Sequence, residues 1–182
     1  LYRQAPGWQR SLGLSAINAI SQYVLGRDRA RWHDNPDTLA MVDIQAGDNI
    51  GMVGLFGRLV DPIRQAGATL TVIELDPRHV RREPGLIVTL DPAELAGCNK
   101  VLITGTTLLN LTLDSLLERL THAQCIAVIG PTASCLPEPL FARGVTCVGG
   151  AHIESIDQFM TLWRSAGRWR ESGTRYRIDR PG

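Results

Sequence analysis

The alternation of apolar and polar positions over residues 49–76 predicts the unit around which the chain is organised. Residues 49–57 form an apolar run that ends in glycines, and residues 58–67 carry apolar side chains at helical spacing and stop at Gly67. Residues 69–76 are rich in β-branched side chains and end in acidic ones. This order predicts a strand, a crossover helix and a second, parallel strand.

The same alternation continues towards the C-terminus. Apolar runs over 86–88, 100–104, 125–130 and 145–150 predict further strands, and apolar stripes or capping signals predict helices within 9–25, 91–97, 112–120, 136–144 and 155–166. Strands that alternate with helices favour a parallel sheet covered on both faces. The sequence therefore predicts the α/β class, with a Rossmann-like doubly wound parallel sheet of about five strands and helices on both faces.

Three segments follow from this pattern. Residues 1–46 are predicted as an N-terminal helix and a polar linker broken by Pro36, a remnant of or a connection to a small upstream domain. Residues 47–166 are predicted as the Rossmann-like domain. Residues 167–182 are predicted as a basic C-terminal tail, either a loose end or an arm laid on a partner subunit.

Small and hydroxyl side chains follow most of the predicted strands, and they define the candidate binding site. Open α/β sheets hold their ligands at the carboxyl ends of the strands, and a helix that opens after glycines offers free amides to an anion. Glu74 lies twenty residues after Gly54, the separation at which an acid meets ribose hydroxyls in dinucleotide-binding folds. The predicted cofactor-binding residues are Gly54, Phe56, Gly57, Glu74, Asp76, Thr104, Thr106, Thr107, Asn110, Pro131, Thr132 and Ser134.

These residues leave three functions open. Glu74 and Asp76 with His152 would be hard or borderline ligands for a divalent metal ion, or for a metal-chelating small molecule. The glycine turn and the acids would instead suit an adenosine-containing cofactor such as S-adenosylmethionine or NAD, although Gly51, Gly54 and Gly57 are evenly spaced and do not form Gly-x-Gly-x-x-Gly. A non-catalytic interaction subunit is the third interpretation, and the sequence indicates no catalytic residue.

Composition and net charge limit the classes of partner that we expect. The 182 residues are 44% hydrophobic with a net charge of +1, so neither nucleic acid nor a membrane surface is expected as a partner. The four cysteines are scattered, which fits a reduced, cytoplasmic protein, and Cys125 and Cys147 are interpreted as small core residues. We expect a homo-oligomer formed through the 12–25 helix and the arginine-rich tail.

Several segments together resemble the heavy-metal chelation family, a domain of unknown function. The resemblance runs from about residue 10 to residue 165 and rests on motifs in the same order, which are Gly51–Leu59, Glu74–Pro77, Ile103–Asn110, Gly130–Thr132 and Leu136–Phe141. It implies a Rossmann-like domain preceded by a small domain similar to the enolase N-terminal domain, with a site proposed between them. We expect most of that small domain to be absent from this chain, and the resemblance implies no established reaction.

Overall fold

A single nine-stranded sheet runs through the protein in the computed structural model, which describes residues 1–27, 29–34, 38–166 and 169–182. Pro36 and Gly167, where the sequence predicts a linker break and the start of the tail, lie outside the described residues. The strands are β1 (His33–Asp34), β2 (Asn49–Val53), β3 (Thr69–Ile73), β4 (Arg81–Glu83), β5 (Leu86–Thr89), β6 (Lys100–Thr104), β7 (Cys125–Ile129), β8 (Cys147–Ile153) and β9 (Gly173–Asp179).

Six central strands are parallel and lie in the order β5-β3-β2-β6-β7-β8. Counted along the chain, this is the order 3-2-1-4-5-6 of dinucleotide-binding folds, with its topological switch point between β2 and β6. The α/β class and the mostly parallel sheet are therefore confirmed.

The predicted number of about five strands is wrong, because three strands rich in polar residues extend the edges of the sheet. β4 pairs antiparallel with β5, β9 pairs antiparallel with β8, and β1 pairs with β9. The predicted loose tail therefore contributes β9, in which Tyr176 and Ile178 are buried while Arg175 points to solvent. This period-two pattern was present in the sequence, but the density of arginines hid it.

Helices and turns connect the strands. The α-helices are α1 (Trp8–Leu25), α2 (Gly57–Gln65), α3 (Thr107–Asn110), α4 (Leu113–Leu117), α5 (Glu138–Phe141) and α6 (Ile156–Ala166). Short 3-10 helices cover Pro77–His79, Pro92–Gly97, Pro131–Ala133 and Trp169–Ser172. The capping signal at Asp91 is confirmed as the start of the second of these, since its carboxylate accepts the amide of Ala93 at 2.9 Å.

Side chains alternate between two cores, one on each face of the sheet. Ile50 and Met52 of β2 pack with Leu59 and Ile63 of α2 on one face. On the other face the strands pack with α4, α5 and the end of α1. Gly51 points to that second face, where a Cβ would lie 2.8 Å from Leu95, so glycine lets the Pro92–Gly97 helix approach β2 closely.

Helix α1 crosses the carboxyl edge of the sheet on this second face. Asn18 Nδ2 donates to the carbonyl of Thr132 at 3.0 Å, and Gln22 Nε2 donates to the carbonyl of Ser134 at 2.8 Å. Closer to the start of α1, the buried guanidinium of Arg10 donates to the carbonyl of Leu108. The helix therefore covers the loops after β6 and β7 and leaves open only part of the edge that the sequence predicts as a cleft.

No helix among the described residues is both long and apolar enough to span a membrane.

Candidate functional site

The open part of the carboxyl edge is a cleft of about 750 Å³ on the α2 side of the sheet. Its floor comes from the ends of β7 and β8, and its walls come from the start of α2, from β9 and from the Trp169–Ser172 helix. Such a volume is typical of small-molecule sites. The lining residues are Thr38, Met41, Phe56, Gly57, Arg58, Leu59, Ile129, Gly130, Pro131, Gly149, Gly150, Ala151, Ile153, Trp169, Glu171, Gly173, Arg175 and Tyr176.

Gly149 keeps the floor of the cleft free of a side chain. A Cβ on Gly149 would lie 2.7 Å from Cε of Met41 on the α2 face of the sheet, so a larger residue would push Met41 out of place. The neighbouring Gly150 points to the opposite face, where a Cβ would overlap the ring of Tyr176 in the core on the α1 side. Gly149 thus preserves the shape of the cleft, and Gly150 preserves the packing of Tyr176.

The start of α2 supplies hydrogen-bond donors to this cleft. The helix has no side-chain cap, and the amides of Gly57 and Arg58 donate to no acceptor within the described residues. Unpaired amides at a helix N-terminus carry partial positive charge and bind anions. The exposed guanidinium groups of Arg58 and Arg175 line the same cleft, and neither has an acidic partner in the described part of the chain. Glu171 is the one acid among the described lining residues, so the two arginines and the helix amides leave the cleft with a net positive charge.

The predicted acids lie elsewhere along the edge. Glu74 accepts the amide of Leu55 at 2.9 Å and the amide of Leu75 at 2.7 Å, so one oxygen holds the turn between β2 and α2 in place and the other binds the residue that follows Glu74. Burial opposes ionisation of Glu74, but the amides of Leu75 and Leu55 outweigh burial and lower its pKa. The acid that the spacing assigns to a ribose instead binds its own chain.

Asp76 is also paired within the chain. It accepts the amide of Arg78 at 3.0 Å and binds the guanidinium of the same residue through both oxygens. The Arg78 side chain lowers the pKa of Asp76, and the Arg78 amide adds to this effect. Asp76 thereby caps the Pro77–His79 turn.

His152 lies at the end of β8, on the α1 face of the sheet. Its Nδ1 lies 2.8 Å from Oε1 of Gln22, and its ring packs edge-on against Trp32. Burial, helped by the positive charge of Arg29, lowers the pKa of His152. β3 and β8 are four strand spacings apart, roughly 19 Å, so Glu74 and Asp76 do not converge with His152. Across the described residues no three His, Cys, Asp or Glu side chains form a metal cluster.

The remaining predicted residues fall into three groups. Phe56, Gly57 and Pro131 line the cleft. Gly54, Thr104 and Thr106 lie together at the switch point, where a Cβ on Gly54 would be 3.1 Å from Cγ2 of Thr104 and the two threonine hydroxyls are 3.1 Å apart. The others make contacts inside the protein, through the hydroxyls of Thr107 and Ser134, the carboxamide of Asn110 and the carbonyl of Thr132.

Sequence reasoning missed Arg58, Arg175, Gly149 and Gly150 as cleft residues. The Gly149-Gly150 pair at a strand end was a usable signal, because glycines at the carboxyl end of a central strand permit close approach of a ligand. Arg175 had no such signal, since its position depends on the antiparallel return of β9 beside β8.

The fold and the cleft define a Rossmann-like α/β protein with an electropositive cleft at the carboxyl edge of its sheet. The chain belongs to the DUF364 family, whose model, described as "Putative heavy-metal chelation", matches residues 37–179.

Similar proteins agree with this assignment. The chain is 34% identical over 169 residues to the uncharacterized protein MJ0500 of Methanocaldococcus jannaschii, covering 87% of this chain and 60% of that one. It thus spans well under two thirds of the length of this curated relative. Two solved structures of DUF364 proteins of unknown function share the fold at 22% identity. The one from Pyrococcus horikoshii has a TM-score of 0.78 (94% of this chain, 69% of that one), and the one from Desulfitobacterium hafniense has a TM-score of 0.73 (94% and 68%).

Proposed function

We propose that this protein binds a small anionic molecule in the cleft at the carboxyl edge of its sheet. The observation that carries the proposal is the start of α2, where two amides without acceptors and the side chain of Arg58 line a cleft of about 750 Å³. A carboxylate or phosphate group at this point would receive amide hydrogen bonds and an arginine contact together. The apolar part of the ligand would pack on Phe56, Met41 and Ile153.

The residues of this site restrict how a metal ion could bind. Glu74 and Asp76 are engaged by amides and by Arg78, and they are far from His152. A metal ion in the cleft would therefore arrive with the donors of the small molecule that chelates it. The family's description as heavy-metal chelation supports this form of the proposal. An adenosine-containing cofactor such as NAD or S-adenosylmethionine is the alternative ligand, supported by the strand order and the helix N-terminus.

Ligand-induced stabilisation tests the proposal. We expect at least one of NAD, S-adenosylmethionine, ADP and citrate, the last with and without a divalent metal, to raise the melting temperature. A ligand at about 100 times its Kd adds roughly 2.7 kcal/mol to the free energy of unfolding. Gly57→Pro should weaken the binding of that ligand, because proline removes the amide donor of this residue. The helix should tolerate the substitution, since proline is accommodated in the first turn of a helix and a Cβ at this position meets open space.

Substitutions of arginine test which side chains bind the anionic group of the ligand. Arg58→Ala and Arg175→Ala should each raise the Kd of that ligand by about 10- to 100-fold, the effect of losing a charged hydrogen bond of 1.5–3 kcal/mol. Arg119→Ala, which removes an equal charge from α4's exposed C-terminal flank, is the matched control and should leave the Kd unchanged. No stabilisation by any of these ligands, or equal losses in all three variants, would contradict the proposal.

A second candidate, an interaction subunit that forms a homodimer, is favoured by the solvent-facing side of α1. Trp8, Leu12, Ile20 and Tyr23 are each more than half exposed on that side. Small Ala16 and Ala19 lie between them on the same side, so a second copy of the helix could approach closely. Ile20→Glu should abolish a dimer detected by light scattering, and a monomeric wild-type protein at high concentration would contradict this candidate.

A further inference from the structure

Two cysteine thiols meet at the amino edge of the sheet, opposite the cleft. Cys125 begins β7 and Cys147 begins β8, and both pack in the core on the α2 face of the sheet. Both sulfurs also lie near one carbonyl oxygen, that of Met41, at 3.9 Å from Cys125 Sγ and 3.7 Å from Cys147 Sγ. Cys147 is buried, whereas Cys125 is only half-buried, so the pair can be reached from solvent through Cys125.

The surroundings of the pair favour a negative charge on Cys125 but not on Cys147. The hydroxyl of Thr146 lies 3.3 Å from Cys125 Sγ. The hydrogen bond from Cys147, opposed by burial, lowers the pKa of Cys125, and the positive charges of Arg177 and Lys100 act in the same direction. The same hydrogen bond and burial raise the pKa of Cys147.

The register of the strands makes a direct disulfide unfavourable. Cys147 is level with Ala127, so Cys125 lies two residues off its level on the neighbouring strand. With the usual rise and strand spacing, their Cα atoms are about 8 Å apart. Cα atoms more than about 7 Å apart cannot be joined by a disulfide without moving the backbone. A third atom between the two sulfurs is not limited in this way.

We propose that Cys125 and Cys147 together bind one soft, thiophilic metal ion of the Cu(I) or Hg(II) class, bridged between the two sulfurs, with the carbonyl oxygen of Met41 as a weaker third donor. Thiolates select soft ions over hard ones. On binding, each thiol that still holds a proton releases it to solvent, two metal–sulfur bonds form, and no electron is transferred. The two sulfurs come from adjacent strands at the amino edge, while Met41, which supplies the third donor, also contributes to the lining of the cleft.

The proposed site is tested by measuring Cu(I) binding, in competition with a chelator, to a protein in which Cys125 and Cys147 are the only cysteines. The background is Cys98→Ala/Cys135→Ala, titrated anaerobically with Cu(I) buffered by the chromophoric chelator bicinchoninate. We expect one Cu(I) per chain. Removing either member of the pair, by Cys125→Ser or Cys147→Ser, should weaken binding by on the order of 10²–10⁴, because the second thiolate binds as part of the same chelate.

The controls make each outcome decisive. Circular dichroism and thermal unfolding report whether the Cys147→Ser variant folds, and the half-buried Cys125→Ser variant carries the test if it does not. Two Cu(I) per chain, no Cu(I) binding, or unchanged binding in Cys125→Ser would overturn the proposal.

Discussion

The Asp48 network at the amino edge of the sheet and the start of α2 at the carboxyl edge differ in how their polar groups are paired. At the amino edge, the nearly buried Asp48 binds the ammonium of Lys100 at 2.8 Å, the carboxamide of Asn99 at 2.7 Å and the amide of Gln45 at 2.7 Å. At the carboxyl edge, the amides of Gly57 and Arg58 have no acceptor in the described part of the chain. Both residues are exposed, so these helix N-terminal amides can be hydrogen-bonded by water or by a ligand that replaces it.

The thiol pair at the amino edge departs from this division. The Asp48 network holds β2 and β6 together, while the two sulfurs next to it on β7 and β8 share one weak carbonyl acceptor. The comparison therefore teaches that full hydrogen bonding marks the structural part of an edge, and that partial hydrogen bonding marks the parts that can accept a ligand.

The largest effect is expected from Asp48→Ala. The substitution leaves Lys100, whose side chain is only 12% exposed, without its counter-ion and frees two further donors. Urea denaturation should show a loss of about 3 kcal/mol in the free energy of unfolding, as for a broken buried ion pair. Ligand affinity at the cleft should not change in the folded protein, and an unchanged stability would contradict a structural role for this edge.

The hydrogen bonds of Asp48 should also make the stability of the protein depend on pH in the acid range. The pKa of Asp48 is lowered, because burial, which raises it, is outweighed by the bonds from Lys100, Gln45 and Asn99. A lowered folded-state pKa adds stability above the unfolded value, about pH 4, and this is lost as the pH falls through the folded value. The pKa of His152 is also lowered, which adds an earlier loss below about pH 6.5.

Asp48→Asn should therefore remove part of the slope below about pH 4 and leave the slope near pH 6 unchanged. The measurement is the free energy of unfolding by urea at several pH values. An identical acid limb in the two proteins would show that Asp48 does not carry the effect.

Glu74→Gln tests whether Glu74 stabilises the turn between β2 and α2 or binds the ribose of a ligand directly. A glutamine side chain can accept only one of the two amides that Glu74 accepts, so stability should fall by about 1 kcal/mol. The Kd of the cleft ligand should change by less than the roughly tenfold expected for a lost ligand contact. A large loss of affinity with unchanged stability would restore Glu74 as a direct ligand.

The smallest effect is expected from Asp114→Ala. Its ion pair with Arg143 is 3.0 Å long but exposed, with 69% of the Asp114 side chain accessible. Exposed pairs contribute about 0–1 kcal/mol, so thermal unfolding should barely shift. A loss of stability as large as that of Asp48→Ala would contradict the account of the amino edge, because that account requires a buried ion pair to contribute more than an exposed one.

Local pattern was enough for the central strands and for α2, because each is a periodic apolar segment bounded by glycine or a cap. The edge strands were missed because β1 and β4 contain no apolar residue, and because β9 alternates two arginines with Tyr176 and Ile178 and is held by long-range pairing with β8. Of the predicted site residues, Phe56, Gly57 and Pro131 line the cleft, and their role in binding stays a prediction. Sequence reasoning placed Thr107 and Ser134 in the same site only because it did not foresee that α1 would close the loops after β6 and β7.

The most direct test of the central claim is an NMR titration of the amides of Gly57 and Arg58 with ADP, or with whichever anionic ligand stabilises the protein. The account predicts large, saturable shifts of these two amides, and almost none for Asn99 and Lys100 at the opposite edge. Saturable shifts confined to the opposite edge, or spread over α1 while Gly57 stays unmoved, would contradict it.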